Sequence, residues 1–117
     1  NEERVEAMNL IGDVDGRTVL IVEDEIATGG TVVAAAETLK ARGASEIYCC
    51  AVHPILAGKS SQMIETLSLK ELVVTDTLPV PKEKRFDGFE VVSVAGLLGE
   101  AIHRIHSGLS VGAMFDY

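Results

Sequence analysis

A chain of 117 residues with 47% apolar content is the size of one domain with a single modest core. Its net charge of −8 at pH 7 and pI near 4.7 argue against a nucleic-acid or anionic-membrane surface, because phosphate backbones reward clustered Lys and Arg that this chain lacks. No apolar run approaches membrane-spanning length, and the opening NEERVEAMNL is charged and acidic, unlike a signal peptide.

In chain order, short β-rich runs alternate with helical patterns, the rhythm of parallel βα units. The chain opens on Asn1 rather than methionine, which reads as a piece of something longer. Thr18 to Glu23 is the first expected strand. Thr31 to Arg42 is the first helix, with Val32, Ala35, Ala36 and Leu39 at helical spacing and Gly43 as its stop. Ile47 to Val52 is a second strand, so continuously apolar that burial on both faces is expected. It contains the only two cysteines, Cys49 and Cys50, whose side chains face opposite ways; they read as reduced core residues of a cytoplasmic protein. Ser60 to Leu67 can form a short helix, with Lys59, Ser60 and Ser61 as its start. Glu71 to Thr75 and Phe89 to Val94 are further strands. Between these two, PVPKEKRFDG reads as a solvated surface loop. A last helix, from Gly96 to His106, places Leu98, Ile102 and Ile105 on one face before Gly108 ends it.

The chemistry concentrates in VLIVEDEIATGGTV, residues 19 to 32, where an apolar run meets Glu23, Asp24 and Glu25 and then a turn containing Gly29 and Gly30. In a parallel α/β sheet, ligands bind beyond the carboxyl ends of the strands, which is where these acids fall. The glycines allow close approach of a ligand to the backbone, Thr28 and Thr31 offer hydroxyls, and the following helix offers free N–H groups. Together they read as a cradle for a small phosphate. No Lys follows the glycines, so it is not a Walker-type loop. Carboxylates repel phosphate but accept hydroxyl protons, so a phosphorylated ribose suits both halves: phosphate on the turn, diol on the acids. The plainer reading is a helix capped by Thr31 after a solvated strand end. It leaves three adjacent like charges without a purpose.

On these residues the chain resembles the phosphoribosyltransferases and their relatives. The flanking MNLIGDVDGRTVLIV, HPILAG and ELVVTDTLP, and above all FEVVSVAGLLGEAIHRIHSGLSVGAMFDY, are similar to the carboxyl-terminal domain of ribose-phosphate diphosphokinases, the PRPP synthetases. That resemblance implies an α/β, phosphoribosyltransferase-like three-layer sandwich with a mainly parallel central sheet, formed by residues 1–117 as a single domain. It implies transfer of diphosphate from ATP to ribose 5-phosphate, giving PRPP and AMP. By position, Ala27, Thr28, Gly29, Gly30 and Thr31 hold the 5-phosphate, and Glu23 with Asp24 bind the ribose hydroxyls. These are binders, with no catalytic nucleophile and no metal ligand assigned in this chain. Magnesium and ATP are expected, held mainly by an amino-terminal domain that this chain does not contain, and family precedent implies homo-oligomers. Ser110, Val111 and Gly112 fall where many relatives bind regulatory phosphate or ADP.

The chain departs from the family pattern at Glu23, commonly Asp, at Glu25, commonly apolar, at Ala27, often acidic, and at Gly112, usually Ser. Sugar-phosphate binding is expected to survive these changes, with turnover open. A non-catalytic regulatory relative or a phosphoribosyltransferase are the alternatives. His53, His103 and His106 lack a third ligand at readable spacing and are expected to be structural or solvent-facing.

Overall fold

The computed structural model describes residues 10–116; the acidic opening, residues 1–9, lies outside them. Four strands alternate with helices: β1 (Thr18–Ile26), α1 (Gly30–Ala41), β2 (Glu46–Pro54), α2 (Ser60–Glu65), β3 (Glu71–Thr75), β4 (Phe89–Val92) and α3 (Ala95–His106). Short 3₁₀ turns occupy Lys82–Lys84 and Gly112–Phe115. The strands form one sheet in the order β1-β2-β3-β4, every neighbouring pair parallel. Among the described residues no helix is long and apolar enough to cross a membrane.

α1 forms where small and apolar residues recur at helical spacing, burying Val32, Ala35, Ala36 and Leu39 against the sheet. It stops at Gly43, whose φ of +88° suits glycine; the N–H groups of Gly43 and Ala44 donate to the carbonyls of Lys40 and Leu39, both at 3.0 Å. The face under α1 and α2 holds Ile21, Ile47, Cys49, Ala51, Leu72 and Val74, all buried.

The opposite face corrects the expectation for β2. Ile47, Cys49 and Ala51 are buried, but Val52 is 44% exposed and Cys50 only half-buried, so the strand is covered on one side. Leu20, Val22 and Val92 share that uncovered face. Continuous apolar sequence marks what a strand can bury, whereas this stretch of chain provides helices for one side. α3 leaves its apolar ridge in solvent as well: Leu98, Ile102 and Ile105 are all exposed.

Boundaries also move. β1 runs three residues beyond Glu23, because its ladder with β2 continues through Glu25 opposite His53 and Ile26 opposite Pro54. β4 ends at Val92, two residues early, since Asp76 takes over there: its N–H donates to the Val92 carbonyl at 3.2 Å and its Oδ1 accepts the Val94 N–H at 2.8 Å.

Candidate functional site

At the carboxyl end of β1 the chain turns through Ala27, Thr28 and Gly29 into α1. Residues Glu23 to Val32, contiguous in sequence, line a cleft of about 170 Å³. That is smaller than the several hundred Å³ typical of sites for drug-sized ligands, and suits a compact one. All seven residues expected to bind sugar phosphate, Glu23, Asp24, Ala27, Thr28, Gly29, Gly30 and Thr31, are in its wall, together with Glu25.

Two features shape its floor. Gly29 sits at φ +83°, and a Cβ added there would lie 3.3 Å from Ser60 Cβ and 3.6 Å from Ile64 Cδ1. Both the backbone angle and the packing of α2 behind the turn call for glycine. The Ser60 hydroxyl has no hydrogen-bond partner among the described residues, so Ser60 acts on the turn through its bulk. Gly30 is different: an added Cβ would meet only Thr28 Oγ1, at 3.8 Å.

The amino end of α1 is uncapped. Gly29 occupies the N-cap position without a side-chain hydrogen bond, which corrects the reading of Thr31 as a cap. The first bond of the helix runs from Val33 N–H to the Gly29 carbonyl, 3.0 Å. The N–H groups of Gly30, Thr31 and Val32 therefore have no intrahelical acceptor, and the helix dipole adds positive potential at the same place.

The acids line the same cleft. Glu23 is half-buried, Asp24 and Glu25 exposed. Asp24 Oδ1 accepts the Glu25 N–H at 2.8 Å, which fixes that carboxylate beside the strand and leaves its second oxygen available. Among the described residues the two ion pairs, Lys70–Glu46 and Arg104–Glu100, do not involve the acidic trio. Carboxylates and unpaired N–H groups lining one small cleft can bind a molecule with hydroxyls at one end and an anion at the other.

Sequence reasoning did not single out Asp76 or Thr77, after β3. The Ser93 hydroxyl and the Val94 N–H hold the Asp76 carboxyl below the usual carboxylate range. His53 Nδ1 lies 2.9 Å from Thr77 Oγ1, and Thr77 and Thr75 both donate hydroxyl hydrogen bonds to the Val52 carbonyl. The TDT spacing of residues 75 to 77 at a strand end was the available signal. Ser110, Val111 and Gly112 do not line the cleft; they follow α3, where Arg104 Nη1 donates to the Ser110 carbonyl at 3.0 Å. His103 and His106 are exposed. Among the described residues no three His, Cys, Asp or Glu side chains gather as a metal site.

Residues 2–116 match the family described as phosphoribosyl synthetase-associated domain. A ribose-phosphate pyrophosphokinase of Caldanaerobacter subterraneus is 50% identical over 110 residues, covering 94% of this chain and 35% of the relative. One from Corynebacterium ammoniagenes is 44% identical over 111 residues, covering 95% and 35%. The crystal structure of phosphoribosylpyrophosphate synthetase from Mycobacterium smegmatis superimposes with a TM-score of 0.81 at 35% identity, covering 84% of this chain and 33% of that one. The expected phosphoribosyltransferase-like α/β fold is therefore present, with its sheet parallel throughout. The chain spans about a third of the length of the relatives it matches. With nearly its whole length inside the family match and these neighbours in sequence and structure, the chain belongs to the phosphoribosyl synthetase-associated family, alongside the ribose-phosphate pyrophosphokinases.

Proposed function

We propose that this chain is the ribose 5-phosphate-binding part of a ribose-phosphate diphosphokinase, an enzyme that transfers diphosphate from ATP to ribose 5-phosphate to give PRPP and AMP. The observation that carries the reading is the cleft itself, which Glu23, Asp24 and Glu25 line together with the turn and the uncapped amino end of α1. The 5-phosphate accepts hydrogen bonds from the N–H groups of the turn and from the hydroxyls of Thr28 and Thr31. Glu23 and Asp24 accept the ribose hydroxyl protons and fix the ring, so that the anomeric oxygen faces the incoming phosphorus. No residue of this chain forms a covalent intermediate; its contribution is alignment.

ATP is held mainly by residues outside this chain. Magnesium, when bound, neutralises phosphate charge. Its ligands would come mainly from substrate and from residues outside this chain. Ser110, Val111 and Gly112 extend the reading to a regulatory phosphate or ADP site, and the working enzyme is a cytoplasmic homo-oligomer.

Calorimetric titration of ribose 5-phosphate into the chain and into Glu23→Ala/Asp24→Ala tests the assignment. Loss of two charge-assisted hydrogen bonds, at about 1.5–3 kcal/mol each, is expected to weaken ribose 5-phosphate by about a hundredfold or more while inorganic phosphate binds as before. Equal ribose 5-phosphate affinity in the two proteins, with both folded, refutes the diol role. The chain alone is expected to form no AMP from ATP, magnesium and ribose 5-phosphate, since it aligns one substrate only.

A further inference from the structure

The charged loop between β3 and β4 reads as solvated in the sequence, yet in the structure it is tied to the cleft. Val80 is 7% exposed, and its carbonyl accepts from Arg85 Nε at 3.1 Å and Nη2 at 2.9 Å, which closes the loop on itself. Ser61, buried at the start of α2, donates its hydroxyl to the Lys84 carbonyl. Lys84 in turn sends its ammonium inward: Nζ donates to the Leu56 carbonyl at 2.6 Å.

Leu56 is an unusual residue to find at the end of that bond. It is 1% exposed and has φ +49°, a left-handed backbone that leucine rarely adopts and that surrounding contacts must impose. Its N–H donates to the Ile26 carbonyl and the next N–H, of Ala57, to the Ala27 carbonyl, each at 2.9 Å. Ile26 is the last residue of β1 and Ala27 the first of the turn that bounds the cleft. A continuous line of hydrogen bonds thus leads from the Lys84 ammonium, through the left-handed Leu56, to the base of the turn. Among the described hydrogen bonds the ammonium is the one donor to the Leu56 carbonyl, so without it a carbonyl on a buried residue is left unpaired.

We propose that Lys84 is a positioning residue for the anion cradle: by holding Leu56 in its left-handed conformation it fixes residues 55 to 57, and through them the height and tilt of the turn that presents N–H groups to phosphate. This rests on the cleft being the phosphate site, and the experiment keeps the two apart. Lys84→Met retains the length and packing of the stem and removes the ammonium; Lys84→Arg retains a cationic donor; Lys82→Met, on the same loop, is the control, because Lys82 is exposed and its side chain makes no hydrogen bond among the described residues. Three quantities are read on each: amide hydrogen exchange at Leu56 and Ala57, affinity for inorganic phosphate and for ribose 5-phosphate, and thermal midpoint.

Lys84→Met is expected to accelerate exchange at Leu56 and Ala57 by tenfold or more relative to amides of the β2–β3 ladder, and to weaken phosphate binding by about tenfold. Lys84→Arg is expected to recover most of both, and Lys82→Met to match the parent. Unchanged protection at Leu56 and Ala57 in Lys84→Met overturns the proposal. So does a uniform rise in exchange that Arg does not reverse, since that marks general stability alone. If Lys84→Met does not fold, Ser61→Ala, which frees the Lys84 carbonyl only, decides by the same exchange pattern. If the parent binds neither phosphate nor ribose 5-phosphate, the cradle assignment fails while the exchange data still decide whether Lys84 holds the turn.

Discussion

Truncating one leucine on each side of the sheet measures how one-sided the core is. Leu72 lies on β3 between Cys49 and Phe89 and is 0% exposed, whereas Leu20 lies on β1 and is 59% exposed. For Leu72→Ala the lost transfer energy and the residual cavity add, giving about 2–5 kcal/mol. A fully buried leucine is worth about 1.5–3 kcal/mol of transfer, and Leu20 has lost less than half of its surface to the fold, so Leu20→Ala should cost about 1 kcal/mol or less and leave no cavity. The expected separation in thermal midpoint is on the order of 10 °C. Urea titrations followed by circular dichroism supply the comparison, with midpoints shifting at constant slope. Equal losses at the two positions would refute the reasoning, because they would mean that the outer face is covered in solution. Repeating the titration at tenfold lower protein concentration then separates self-association from a fault in the packing argument.

Gly29→Val should destabilise by about 3 kcal/mol or more, since a β-branched residue at φ +83° is strained and its Cβ would crowd Ser60, while Gly30→Val, whose Cβ would make only ordinary contact with Thr28 Oγ1, should cost about 1 kcal/mol or less; chemical denaturation of both variants checks the order. Burial first, with the charges of Cys50 and Glu23 adding to it, pushes the Cys49 thiol up to about 12 from 9.0. Unfolding above pH 9 therefore releases a proton that the folded state retains, so stability should fall between pH 9 and 12, and Cys49→Ala should lack that slope when urea midpoints are compared across pH. Iodoacetamide should accordingly label Cys50 well before Cys49, as read by peptide mass.

What the sequence made legible was whatever is local in it. The acids, the glycine turn and the start of α1 fall within residues 23 to 32, so their joint placement in one cleft follows from a strand, a turn and a helix in succession. Strand ends were less visible: nothing in EDEI announces that the ladder continues to Ile26 opposite Pro54, because that depends on where β2 stops. The uncovered face was hidden for a different reason. Leu20, Val22 and Val52 are the residues that a doubly covered strand would carry, and composition does not count the helices available to cover them. The role of Lys84 was out of reach altogether, since it rests on a main-chain carbonyl 28 residues away.

The sequential order of the sheet bears on how it assembles. Thr18 pairs with Glu46, Tyr48 with Glu71 and Leu72 with Phe89, so each parallel contact closes a segment shorter than the one before. Loop-closure entropy varies as the logarithm of length, and between the longest and the shortest of these segments it differs by only about 0.4 kcal/mol. Such a margin is too small to set the order of events, which passes instead to the distribution of buried side chains. Ile21, Ile26, Val32, Ala35, Ala36, Leu39, Ile47, Cys49 and Ala51 all belong to β1, α1 and β2, whereas β4 and α3 bury none completely. The first βαβ unit is thus the natural nucleus, with φ-values expected to be high at Ala36 and Ile47 and low at Val91. Because the turn and its acids lie inside that unit, the outline of the cleft arises with the earliest native structure, and the contacts of Leu56, α2 and Lys84 fix the turn only as the later elements dock.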